Sequence, residues 1–143
     1  MAMAPVVAIA EDFVIEDESL RALPRPIEMA VRGSKGFESR SCKLIGKAVD
    51  LSGQGAAPGF IVTTADGCDW GAALGPIWVV RNGAQPMTVL AHGGYTLTLG
   101  KPVKSGLRAI TITAETAGMT SKSLWKFDGK RYVKVKDMNG ASR

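Results

Sequence analysis

The chain has 143 residues, 45% of them hydrophobic and 22% charged, with 17 glycines and 7 prolines. This length suits one domain with an adequate core, and glycines set between Val-, Ile- and Thr-rich runs favour a β-rich fold with tight turns. No apolar run approaches the ~20 residues that cross a bilayer, so we expect no membrane span.

Charge is distributed unevenly along the chain, whose net charge is +5. Residues 1–100 hold 8 Lys and Arg against 10 Asp and Glu, whereas residues 101–143 hold 10 against 3. The acids concentrate in residues 11–18. A domain with one acidic and one basic region can steer a charged partner, although an ordinary solvated surface gives the same pattern.

The N-terminal third predicts one short helix. Residues 1–10 are apolar and read as a tail or an edge strand, and they lack the basic region of a signal peptide. Residues 13–15 fit the middle of a short strand. Prolines at 24 and 26 suit the first turn of a helix that runs to Arg32, and Gly33 is placed to end it.

The centre of the chain predicts the most buried strands. Residues 43–51 alternate loosely and fit a strand, and a turn-rich loop follows them. The apolar, β-branched runs 60–64 and 77–80 then flank a Gly- and Asp-rich connection that carries Cys68. Continuous apolar runs of this length are typical of strands buried on both faces.

Hairpin signals dominate the C-terminal half. Asn82-Gly83 predicts a tight hairpin between 77–80 and 87–90, and the turn residues 92–94 lead into the alternating strand 95–99. A further strand is predicted at 107–114.

The last predicted hairpin spans residues 124–136 and turns at Asp128-Gly129. With a two-residue loop, this hairpin would place Trp125 directly across from Tyr132. Together these elements predict a mainly β (α+β) fold, an antiparallel sheet or a small sandwich or barrel with one short N-terminal helix. We expect a single domain over 11–136, preceded by the segment 1–10 and followed by a tail at 137–143.

The two cysteines, Cys42 and Cys68, favour a disulfide. With one histidine in the chain, four Cys and His ligands for zinc are not available, and we expect no metal site. Polar neighbours of Cys42 suit a bridged cysteine better than one of two independent buried thiols, which is the alternative. The bridge would stabilise the fold by roughly 3–4 kcal/mol and would indicate a periplasmic or secreted protein.

Partner-binding candidates cluster in the connection around Cys68. Trp70 with Asp66 and Asp69 on a rigid loop suits a protein-interface hot spot, and we add His92 from a second predicted turn. The alternatives are that Trp70 folds back over the core and that the aspartates serve turn hydrogen bonds.

Catalysis has weaker support in the sequence. His92 would need a nucleophile and an orienting group, and no Gly-x-Ser-x-Gly motif is present. Paired carboxylates, Asp66 with Asp69 or Glu115 with Asp128, leave a small carboxylate-dependent hydrolase as an alternative. Phosphate-binding glycine motifs do not occur, so we expect no cofactor.

The basic C-terminal hairpin carries lysines between aromatic residues, a pattern that single-strand nucleic-acid binders share. Trp125 and Tyr132 are expected to close the core from one face, while lysines protect an edge strand from the other. We therefore expect no nucleic-acid partner.

Two segments carry a resemblance to known proteins. Residues 50–55, Asp-Leu-Ser-Gly-Gln-Gly, followed by residues 58–62, Pro-Gly-Phe-Ile-Val, are similar to the phrase of FG-GAP-like repeats. Residues 124–132 resemble the closing hairpin of small secreted or periplasmic bacterial proteins with such a degenerate phrase. The resemblance implies export. The family's acidic loop can bind calcium, but Asp50 is the single carboxylate at the alternate loop positions here, which predicts a plain turn.

These observations lead to one functional hypothesis. Small size, predicted export, one histidine and turn-rich loops favour a non-catalytic protein-binding module, an inhibitor or immunity-type protein whose partner is a peptidoglycan-active enzyme. The alternatives are the small hydrolase and a passive envelope or glycan-binding module.

Overall fold

Ten strands and one helix make up the computed structural model of this protein, which describes residues 12–34, 41–53, 55, 57–71, 74–102, 106–116 and 118–141. In chain order the elements are β1 (Asp12–Val14), β2 (Arg21–Ala22), α1 (Arg25–Arg32), β3 (Leu44–Asp50), β4 (Pro58–Thr64), β5 (Gly75–Arg81), β6 (Met87–Gly94), β7 (Thr96–Pro102), β8 (Arg108–Thr116), β9 (Met119–Phe127) and β10 (Tyr132–Ala141).

The strands form two antiparallel five-stranded sheets. The first sheet has the order β1-β7-β8-β9-β10, and the second sheet has the order β2-β3-β4-β5-β6. A bend at Tyr95 carries the chain from β6 in one sheet to β7 in the other. The sheets share a core but do not close into a barrel. The predicted β-rich fold with one short helix is confirmed.

The strands β4 and β5 are buried on both faces, as their apolar runs predicted. Ile61, Ile77 and Val79 point into the core between the sheets, where they meet the apolar faces of β7 and β8. The alternate residues Val62 and Trp78 point to the other face. The second face needs its own cover, which the helix supplies.

Helix α1 packs on the outer face of the second sheet through Ile27 and Val31. Pro24 precedes it, and the N–H of Gly33 donates to the Met29 carbonyl at 2.9 Å, which ends the helix at the predicted place. The Thr88 hydroxyl on β6 donates to the Ala30 carbonyl at 3.0 Å. The helix is thus tied directly to β6.

The β9–β10 hairpin differs from its prediction. Tyr132 lies opposite Phe127, and Trp125 lies opposite Lys134. The loop contains four residues rather than two, because the Asp128 carboxylate accepts hydrogen bonds from the backbone N–H groups of residues 130 and 131. The expected pairing of Trp125 with Tyr132 is therefore wrong.

Two further boundaries also differ. Residues 137–141, expected to belong to a tail, continue β10 and pair with β9. His92, expected in a turn, lies on β6, which continues through Gly94 opposite β5. In both places ladder hydrogen bonds to a neighbouring strand outweigh the local turn preference of Gly and Asn. The segment 1–10, called a tail or edge strand, lies outside the described residues.

No helix among the described residues is long and apolar enough to cross a membrane.

Candidate partner-binding site

The connection between β4 and β5 is anchored by a disulfide. Cys42, just before β3, is bonded to Cys68, with their Cα atoms 5.7 Å apart. The predicted bridge is confirmed, and neither of the two cysteines is free. A thiolate nucleophile at Cys68 would require reduction of this bond.

Two aspartates in the connection adopt the left-handed backbone region. Asp66, within the short 3-10 turn Ala65–Gly67, has φ 56°, and Asp69 has φ 63°. Asp accepts this conformation better than most residues with a Cβ. Two successive turns, closed by the backbone N–H groups of residues 68 and 70, lead to Trp70.

Trp70 is held on this connection by contacts on several sides. Its indole Nε1 donates to the Thr64 hydroxyl at 3.0 Å, and that hydroxyl donates to the Cys68 carbonyl. The ring lies so close to Gly75 that a Cβ there would come within 2.6 Å of Nε1. Trp70 packs against the core and remains half-buried, as the alternative interpretation expected, and its role in partner binding stays a prediction.

A cavity of about 520 Å³ opens beside Trp70. Its other wall is the segment between β1 and β2, which supplies Glu16, Asp17 and Glu18. Asp66 completes a set of four carboxylate side chains, and no Lys or Arg belongs to the described lining. Ile15, Leu20 and Ile45 add apolar surface.

Local contacts fix the acidic wall. The Asp17 carboxylate accepts hydrogen bonds from the Ser19 hydroxyl at 2.7 Å and backbone N–H at 2.8 Å, which lower its pKa, with smaller contributions from Lys47 and Arg21. The Tyr95 hydroxyl donates to the Glu16 carboxylate, and this bond raises the pKa of Tyr95. The hydrogen bonds from Ser19 favour the ionised form of Asp17.

An indole beside several carboxylates suits a cation. The aromatic face attracts an ammonium or guanidinium group through its quadrupole, and the carboxylates accept its hydrogen bonds. The sequence marked residues 11–18 only as an acidic run. It gave no indication that Glu16, Asp17 and Glu18 would meet Trp70, which lies about fifty residues later.

The structure separates the four predicted partner-binding residues. Asp66 and Trp70 line the same cavity, whereas Asp69 is exposed just outside the lining. His92 lies on β6, with its ring centroid 4.9 Å from that of Trp125. Burial and the nearby Lys134 lower the pKa of His92. His92 thus belongs to another surface.

The second carboxylate pair proposed for catalysis is not brought together. Glu115 lies opposite Thr120 near the start of β9, while Asp128 follows the end of the same strand. Eight strand residues span about 26 Å, whereas glycosidase carboxyl groups lie about 5–10 Å apart. Backbone hydrogen bonds from residues 131 and 130 lower the pKa of Asp128.

The loop that resembles the FG-GAP-like phrase is organised by Asp50. Its carboxylate accepts hydrogen bonds from the Ser52 backbone and hydroxyl and from the Gly55 backbone. Burial would raise the pKa of Asp50, but these hydrogen bonds outweigh it and lower the pKa. Both oxygens thus serve the turn.

One grouping of potential metal ligands occurs among the described residues, formed by Cys42, Cys68 and Asp69. Both of its sulfur atoms belong to the disulfide, whereas zinc binds cysteine as the thiolate. In the oxidised protein this grouping therefore offers one carboxylate.

No protein-family model matches the chain, and no curated protein or solved structure matches it either. The resemblance to FG-GAP-like repeats and to small secreted bacterial proteins stays a prediction.

Proposed function

We propose that this protein is a non-catalytic protein-binding module whose cavity accepts a Lys or Arg side chain of its partner. The observation that carries the proposal is the convergence of Trp70 with Glu16, Asp17, Glu18 and Asp66 around one opening. Arg is the residue most suited to such a site, because its planar cation stacks on an indole and binds carboxylates in pairs.

The anchoring of the cavity supports recognition of another protein. The disulfide, the Trp70–Thr64 hydrogen bond and the contact of Trp70 with Gly75 hold one wall before any partner arrives. A preformed wall loses little side-chain entropy on binding, so more of the contact energy remains as affinity. Aromatic residues in such settings are typical interface hot spots.

The partner class we propose is a peptidoglycan-active enzyme, which the protein would inhibit as an inhibitor or immunity-type protein. Peptidoglycan carries many carboxylates, so enzymes that bind it benefit from basic groups around the cleft. An acidic cavity would engage those groups. The disulfide supports a periplasmic or secreted location, where such enzymes act.

The first experiment measures binding and inhibition with a panel of purified peptidoglycan hydrolases of different surface charge. We expect a basic hydrolase to bind, and Trp70→Ala or Asp66→Asn to weaken its affinity at least about tenfold, the loss typical of interface hot spots. Glu115→Gln is the matched control, because this carboxylate is exposed on β8, outside the described lining. Equal affinities for all four proteins would overturn the assignment of the cavity.

Two outcomes would replace the proposal. Hydrolysis of peptidoglycan by the protein alone, lost in Asp66→Asn, would establish the carboxylate-dependent hydrolase. Binding of soluble peptidoglycan fragments without any protein partner would establish a glycan-binding module.

A smaller probe tests the chemistry of the cavity itself. N-acetylarginine amide should shift the indole N–H resonance of Trp70 in an NMR titration, with the resonance identified from Trp70→Phe. N-acetylglutamate amide should leave it unchanged, because four carboxylates repel an anion. A response to the glutamate derivative alone would contradict the cationic preference.

A further inference from the structure

The last strand of the first sheet has a free edge. β10 pairs with β9 on one side, and no strand among the described residues pairs with its other side. At ten residues it is longer than most strands, and a long free edge is a template for pairing with another chain.

Exposed apolar side chains concentrate on this strand. Val133, Val135 and Met138 are 44%, 52% and 38% exposed, and they are half of the exposed large apolar residues in the described part of the chain. Val135 is the extra residue of a bulge, since Lys134 lies opposite Trp125 and Lys136 lies opposite Leu124. Burial of these side chains would favour association.

The register with β9 shows which face each residue of β10 occupies. Asp137 lies opposite the buried Ser123, and Lys134 lies opposite Trp125, so both point to the inner face of the sheet. Val133 and Met138 lie opposite Lys126 and Lys122, on the outer face.

We propose that β10 pairs with β10 of a second copy of this chain, in an antiparallel and two-fold symmetric arrangement. In the register that places Lys134 opposite Asp137 of the second copy, Val133 faces Met138 and Val135 faces Lys136. Both the charged pair and the apolar pair then occur twice, as an isologous interface requires. Each pair also joins residues that occupy the same face.

Neighbouring registers lack this match. A shift by one residue in one direction places Lys134 opposite Lys136, and a shift in the other direction places Lys136 opposite its own copy. Like charges directly opposite each other destabilise a strand pair. Lysines on an edge strand normally discourage pairing, but Asp137 makes one register of this edge self-complementary.

The dimer would leave the cavity beside Trp70 accessible in both copies. β10 is the last strand of the first sheet, whereas the cavity lies beside β1, which is the first strand of that sheet. Within one chain, the Lys134 Nζ and an Asp137 carboxylate oxygen lie 3.3 Å apart. Pairing would exchange two exposed contacts, one within each chain, for two equivalent contacts between the chains.

The test uses charge reversal at the two paired positions. Analytical ultracentrifugation of the wild-type protein should show a concentration-dependent dimer. Lys134→Glu and Asp137→Lys should each weaken dimerisation about tenfold or more, because each creates two like-charge pairs. An equimolar mixture of the two variants should restore the dimer, since every cross-strand pair then joins opposite charges. Within each variant chain these two positions still repel, so only pairing between chains explains restoration.

Lys126→Glu serves as the matched control, because it makes the same change of net charge on β9, away from the free edge. It should leave the dimer unchanged, and thermal unfolding checks that all variants fold. A wild-type protein that stays monomeric over the whole concentration range would overturn the proposal. A mixture that does not associate more tightly than either variant alone would overturn the register.

Discussion

The cavity beside Trp70 lies next to β1, at one end of the first sheet, whereas the free edge belongs to β10, at the other end. The two regions are stabilised differently. The cavity wall is fixed by a disulfide, side-chain hydrogen bonds and an indole in contact with Gly75. The β10 edge is held by its ladder to β9 and by the Tyr132 hydroxyl, which donates to the Arg108 carbonyl at 2.8 Å, and it exposes apolar side chains. A rigid wall suits recognition of one side chain, whereas an open strand suits recognition of backbone.

The two regions also differ in charge. Carboxylates line the cavity, whereas basic residues predominate along the β9–β10 hairpin. The uneven charge along the sequence therefore becomes an uneven charge across the molecule.

Removal of the disulfide should have the largest effect. Replacing Cys42 and Cys68 together by alanine should lower the free energy of unfolding by about 3 kcal/mol, because the bridge joins residues 26 positions apart. Urea unfolding measures the change. Val135→Thr on the open edge is the control and should change the free energy by less than about 0.5 kcal/mol. Comparable losses would show that the two regions are not held differently.

Disturbing the contact between Trp70 and Gly75 should have an intermediate effect on the stability of the fold. Gly75→Ala places a methyl group 2.6 Å from the indole nitrogen and should cost about 2 kcal/mol through overpacking. Thermal unfolding gives the stability, and near-UV circular dichroism reports the movement of Trp70. Gly83→Ala is the matched control, since nothing lies within 4 Å of its Cβ position. If both variants unfold alike, Trp70 does not depend on this contact.

Protonation of His92, which lies near β10, should have the smallest effect on the free energy of unfolding. The fold lowers its pKa, so above the unfolded value of 6.5 its contribution to stability is full. That contribution is lost as the pH falls through 6.5 toward the folded pKa, because the unfolded chain binds the proton more readily. Unfolding free energies of wild type and His92→Gln on both sides of pH 6.5 measure this difference. A wild-type protein that loses no more stability than the variant would contradict the lowered pKa.

Local patterns predicted most of the secondary structure. The helix begins after Pro24 and ends at Gly33 because proline suits a first turn and glycine follows a last one. The strands β4 and β5 were recognised from their continuous apolar runs, which reflect burial on both faces. These features depend on neighbouring residues, so local sequence patterns are enough to predict them.

The C-terminal hairpin shows where local patterns were insufficient. The Asp128-Gly129 pair marks a turn, but backbone hydrogen bonds to the Asp128 carboxylate lengthen the loop and shift the register. Residues 137–141 have the composition of a tail, and pairing with β9 makes them a strand. Both the register of the hairpin and the length of β10 depend on cross-strand partners. A pattern of neighbouring residues in the sequence does not include these partners.

For the candidate site, the sequence determined the disulfide pair, the loop that carries Asp66 and Trp70, and the acidic run before β2. These segments meet only in the folded chain, because β1 pairs with β7 while β2 pairs with β3 in the other sheet. The pairing of β6 with β5 keeps His92 away from the cavity, and its ring lies beside Trp125. Sheet membership is a long-range property that depends on the whole core, so no single stretch of this chain could specify it.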